Sequence, residues 1–102
     1  MDIKILIKKR ASFKAKLTQF KNYLSGLENL KKLSTIQHNE LTVRLDKILE
    51  LYVEFDNVQS EIEVNCDIPE DQFGERELYE AQYFGSIALA KELLNSKKGK
   101  NG

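Results

Sequence analysis

The feature that most constrains this chain is the step between its large apolar residues. They recur three and four residues apart in three successive stretches. The first runs Phe13, Leu17, Phe20, Leu24, Leu27, and the second Leu41, Leu45, Ile48, Tyr52, Phe55 and, two steps on, Ile62. The third is looser: Phe73, Tyr79 or Tyr83, Phe84, Ile87 and Leu94. Such spacing lines one face of a helix, and alternating threes and fours approach the 3.5-residue repeat of a coiled-coil seam. The expected fold class is all-α: an antiparallel helical hairpin or three-helix bundle with a coiled-coil-like seam.

Local signals place the boundaries of one helical module over residues 1–95, with helices expected at about 5–25, 37–64 and 68–95. Ser25-Gly26 is expected to close the first helix, because glycine can take the left-handed C-terminal conformation. Ile3, Ile5 and Ile7 alternate with polar residues, but a lone strand would have no partner, so a helical or frayed start is expected. Leu27, Leu30 and Leu33 continue a helical spacing, which suggests a connector with a short helical turn. Ser34-Thr35-Ile36-Gln37 then matches a Ser-x-x-Gln capping box. Pro69 suits a first helical turn, with Asp67 as its cap and Glu70 and Asp71 favoured at the positive helix end. Residues 96–102 carry no apolar anchor and are expected to be a disordered tail.

Charge follows the same division. Residues 1–33 hold nine Lys and Arg against Asp2 and Glu28, a net of +7; residues 34–68 have a net of −6, and the whole chain balances at zero. A basic helix beside an acidic one suits antiparallel pairing, with the cations expected to meet Asp46, Glu50, Glu54 and Glu61. Exposed pairs of this kind are worth about 0.2–1 kcal/mol each, so they guide register more than they hold the fold. The alternative use of the basic set is a phosphate-binding strip of Lys8, Lys9, Arg10, Lys14, Lys16 and Lys21 that would grip RNA or anionic lipid.

Catalytic chemistry finds little support. His38 and Cys66 are single residues of their kinds, so no zinc cluster can form, and no spacing pairs the thiol with the imidazole. The five glycines form no phosphate loop. Glu61, Glu63, Asp67, Glu70 and Asp71 lack the alternation and central glycine of a calcium loop, and read as a solvated, charge-rich turn. No cofactor, metal or small-molecule substrate is expected. One cysteine and no apolar run near the ~20 residues of a membrane span point to a cytoplasmic chain with no membrane span. The acid-free, lysine-rich stretch 3–27 is amphipathic, but it has one arginine where mitochondrial presequences favour several.

Three blocks of sequence carry a family resemblance. Lys9-Arg10-Ala11-Ser12-Phe13-Lys14-Ala15-Lys16-Leu17-Thr18-Gln19-Phe20 resembles the opening of the Gag region of BEL/Pao-type LTR retrotransposon polyproteins. Val43-Arg44-Leu45-Asp46-Lys47-Ile48 with Glu54-Phe55-Asp56-Asn57-Val58-Gln59-Ser60-Glu61-Ile62-Glu63 is similar to its second helix. Glu75-Arg76-Glu77-Leu78-Tyr79-Glu80, Tyr83-Phe84 and Ala88-Leu89-Ala90 are similar to its third. The resemblance implies a non-catalytic structural module that mediates protein–protein association in particle assembly, as a homo-oligomer or with Gag-like partner chains. The association seam would be Phe13, Leu17, Phe20, Leu45, Ile48, Tyr52, Phe55, Ile62, Phe84 and Ile87. Seams this long on so short a chain are expected to support self-association.

Overall fold

A computed structural model describes residues 2–96. It contains α1 (Ile3–Glu28), α2 (Thr35–Asn65) and α3 (Pro69–Ser96), and no strand among the described residues. Asp2 caps α1 by accepting from the Lys4 amide at 3.0 Å. The Ser34 box forms in full: its hydroxyl accepts from the Gln37 amide at 3.1 Å, and Gln37 Oε1 accepts from the Ser34 amide at 2.9 Å.

Two ends depart from expectation. Gly26 does not close α1, and none of the described residues takes a positive φ. The helix runs through it to Glu28 because Leu24 and Leu27 both enter the core. That burial outweighs the ~1 kcal/mol penalty of a helical glycine. At the second turn, the carbonyl of Ile68 accepts from the Asp71 amide at 3.1 Å, and Asp67 makes no side-chain cap. Ser96 is the last residue of α3, and the expected tail beyond it lies outside the described residues.

All three helix pairs pack together, giving a three-helix bundle about 54 × 20 × 20 Å in extent. Lys14 meets Glu75 and Lys21 meets Gln82, so α1 and α3 run parallel. Gln59 meets Gln72, Tyr52 meets Glu80 and Tyr83 meets Leu49, so α2 runs against α3. The buried residues of α1 step by fours and threes without a break: Leu6, Arg10, Phe13, Leu17, Phe20, Leu24, Leu27. In α2 the row is Leu41, Leu45, Ile48, the half-buried Tyr52, Phe55, Gln59 and Ile62, widened by Leu51 on the α1 side. Leu33 of the connector, 1 % exposed, plugs the end where α1 hands over to α2.

The third seam is phased differently from the one its largest apolar residues suggest. Tyr79, Tyr83, Ser86, Ala90 and Leu93 are buried, whereas Phe84 is 55 % and Phe73 51 % exposed. Phe84 therefore does not belong to the folding seam; Ile87 is half-buried against the core. The small Ser86 and Ala90 face inward because α1 and α2 fill that end with leucines, and a close-packed interior has no room for a third large row. Tyr79 fills the middle, its ring stacked 3.7 Å from that of Phe55.

Candidate functional site

Three polar seam residues, one from each helix, meet in a single layer. Arg10 Nη1 donates to Gln59 Oε1 at 3.1 Å and to Gln72 Oε1 at 2.7 Å, while Gln59 Nε2 donates to the carbonyl of Gln72 at 2.8 Å. Arg10 Nη2 lies 3.6 Å from Glu75, so the buried guanidinium has a carboxylate at its rim. Leu6 and Ile62, although buried, stand beyond this layer and outside the main apolar cluster. The layer was legible in part: the gap between Phe55 and Ile62 falls on Gln59, and the step before Phe13 falls on Arg10.

A second polar cluster clasps α2 to α3 next to this layer. Arg76 donates to Glu63 at 2.9 Å, to Ser60 at 3.1 Å, to Glu80 at 3.3 Å and to Asp56. The hydrogen bond that Arg76 donates to Glu63 outweighs burial and raises the Arg76 pKa further above its already high value. Burial opposes ionisation of Glu63, yet the bonds from Arg76 and Gln59 prevail and hold its carboxyl below the usual range. Glu63 therefore belongs to the packed structure and not to a solvated turn. Glu75 is held low too, chiefly by its hydrogen bond from Lys14. Tyr52 donates to Glu80 at 2.6 Å, and that bond, with burial, pushes its hydroxyl up to about 12.

The six residues of the candidate phosphate strip are dispersed by the fold. Arg10 is buried in the polar layer, Lys14 pairs with Glu75 at 2.9 Å, and Lys21 donates to Gln82 at 3.3 Å. Lys8, Lys9 and Lys16 remain exposed, without an ion pair among the described residues. The expected α1–α2 salt bridges to Asp46, Glu50, Glu54 and Glu61 are absent among the described residues; the cations that are paired turn to α3 instead.

The outside of the bundle is uneven. Leu49, Val53 and Phe84 are exposed on the α2–α3 side, where the Phe84 ring lies 5.8 Å from that of Tyr52. On the α1–α2 side an open groove of about 430 Å³ runs over Phe20, Ile48 and Leu51. Arg44 crosses that side's rim, stacked 4.2 Å from the Tyr23 ring. His38 and Cys66 lie at opposite ends of α2, some 40 Å apart at ~1.5 Å per residue, so they share no site. Among the described residues, no group of three or more His, Cys, Asp or Glu could hold a metal ion, and no helix is long and apolar enough to cross a membrane. No family model, curated protein or solved structure matches the chain.

Proposed function

We propose that this chain is a non-catalytic association module of the cytoplasm, working in the manner of the N-terminal Gag region whose sequence it resembles, as a contact element in particle assembly. One observation carries the reading. The three seams already fill a common core, yet Leu49, Val53 and Phe84 stay exposed on the outside of α2 and α3. The core is complete without these side chains, and exposed apolar residues grouped on one side of a fold mark protein-contact surfaces. In this reading the seam residues hold the bundle together, and its outer faces make the contacts. Coiled-coil-like association of whole seams would require the bundle to open.

Of the six strip residues, the alternative, RNA binding through the basic first helix, keeps Lys8, Lys9 and Lys16 as cations with neither an ion pair nor a side-chain hydrogen bond among the described residues. Binding through so few phosphate contacts is expected to be weak and to vanish with salt, each contact contributing about 0.7 to the single-strand salt slope. Light scattering coupled to chromatography, across a concentration series, tests the main reading. The expected result is a molar mass rising above one chain. A single-chain mass at high micromolar concentration, with full helicity, would overturn it; tight, salt-sensitive RNA binding would replace it with the alternative.

A further inference from the structure

Five of the eleven large apolar residues that stay exposed among the described residues lie along one side of the bundle. On α2, Leu49, Val53, Asp56, Ser60 and Val64 follow one another by steps of four and three. Asp56 and Ser60 accept from Arg76, so this line borders α3. On α3, Phe73, Glu77, Glu80 and Phe84 are spaced the same way. Glu80 accepts from Tyr52, and the Phe84 ring lies 5.8 Å from that of Tyr52, so this second line borders α2. The antiparallel course of the helices puts Val64 and Phe73 toward the turn between them, and Leu49, Val53 and Phe84 nearer the middle of the bundle. Between the two apolar spots runs a belt of carboxylates. Asp56, Glu63 and Glu80 share Arg76 as their cation, and the exposed Glu77 has no ion pair among the described residues. Lys91, on the line of Phe84, stands about two turns beyond it, away from the belt.

A face that reads apolar, acidic, apolar has a definite complement. We infer that the α2–α3 face docks an amphipathic helix of a partner chain that carries Lys or Arg between two apolar anchors. The inference rests on the association reading, in which the outer faces make the contacts, and names the partner. Phe73 and Phe84 are three turns apart, about 16 Å at ~1.5 Å per residue, so a helix laid along them meets both with anchors three turns apart on its own face. Cations on the turns between those anchors come to lie over Glu77 and the Arg76 cluster, where carboxylates outnumber the guanidinium. The apolar contacts supply affinity and the belt supplies the sign, because an acidic helix of the same shape meets like charge. Docked there, the partner adds a fourth helix to the bundle.

Fluorescence anisotropy with two labelled peptides tests this directly. Both are amphipathic helices of alanine and leucine with the leucines along one face; one carries lysines between the leucines and the other carries glutamates. The intact chain should bind the lysine peptide at least about tenfold more tightly than the glutamate peptide, and added salt should narrow the difference. Phe84→Ala and Glu77→Lys change exposed side chains, so both should keep the parent's helicity, and each should weaken binding about tenfold. Glu50→Lys makes the same change of charge on the α1–α2 side and should leave binding unchanged. Equal binding of the two peptides, equal effects of Glu77→Lys and Glu50→Lys, or a Phe84→Ala chain that binds like the parent overturns the docking face. A chain that self-associates in light scattering but ignores the lysine peptide overturns this partner and leaves the association reading standing. A chain that takes the peptide yet stays single overturns self-association and keeps this face; one that does neither overturns both.

Discussion

The two ends of this bundle are built on the same three-and-four repeat with opposite chemistry. Where α1 ends and α2 begins, the core is Leu24, Leu27, Leu33, Leu41, Ala90 and Leu93, apolar but for the small Ser86 beside them. Where α2 turns into α3, the same repeat delivers Arg10, Gln59 and Gln72, with Arg76 and Glu63 beside them. The apolar end is tolerant of sliding, since one leucine packs against another in several registers. The polar end is not, because a guanidinium and two amides satisfy one another in a single alignment. A buried polar layer adds little net stability over an apolar one, but a misaligned one leaves unpaired groups in the interior at ~1–3 kcal/mol each. Stability therefore lies mainly at one end of the bundle and register mainly at the other.

The largest expected effect breaks the apolar half. Leu45, 6 % exposed in the middle of α2, becomes an unpaired buried carboxylate in Leu45→Asp. The loss of about 3–5 kcal/mol, most of a small domain's margin, should abolish the cooperative circular-dichroism melt. A parent-like melt would show that the apolar end is not the source of stability.

The polar half should answer differently to one substitution and to three. Arg10→Leu alone strands the Gln59 and Gln72 amides and should cost about 1–3 kcal/mol in denaturant unfolding. Replacing Arg10, Gln59 and Gln72 together by Leu should restore or exceed parental stability, as apolar replacements of buried polar sets often do. The triple variant should nevertheless lose its single register, seen as broadened or multiple amide resonances. Sharp single resonances from the triple variant would remove the register role from the layer.

Acid should act on the polar end first. The folded pKa values of Glu63 and Glu75 lie below the ordinary carboxylate value, so the unfolded chain binds more protons as pH falls. Their contribution is present in full above the unfolded carboxylate pKa of about 4.3 and is lost as pH drops through the lower folded values. Melting temperature should therefore fall in that window, and Glu63→Gln should flatten the fall. An unchanged acid profile in that variant would detach Glu63 from the Arg76 clasp.

The smallest effects separate two tyrosines. Tyr79 buries a hydroxyl with no hydrogen-bond partner among the described residues, whereas Tyr52 donates to Glu80. Tyr79→Phe should be neutral or stabilise by up to about 1 kcal/mol, and Tyr52→Phe should destabilise by about 0.5–1.5 kcal/mol. Equal effects in the two melts would mean that the hydroxyl partners do not govern either site.

Much of this was readable before folding. The apolar steps of Phe13 to Leu27 and of Leu41 to Ile62 defined two helices and their inward faces. Ser34 and Gln37 marked a start that forms as written. These are local properties: a 3.6-residue turn and a side chain within reach of its own backbone decide them without help from the rest of the chain. The inward face of α3, the burial of Arg10 and the partners of the lysines were decided only by the tertiary structure. Phe84 is larger and more apolar than Ser86 or Ala90, yet it lies outside, because Arg76 must reach the acids of α2 while Gln72 reaches Arg10. Both conditions set the rotation of α3, and neither can be read from α3 alone. A helix's own pattern states which faces it can bury, and the space and charges left by its neighbours select among them.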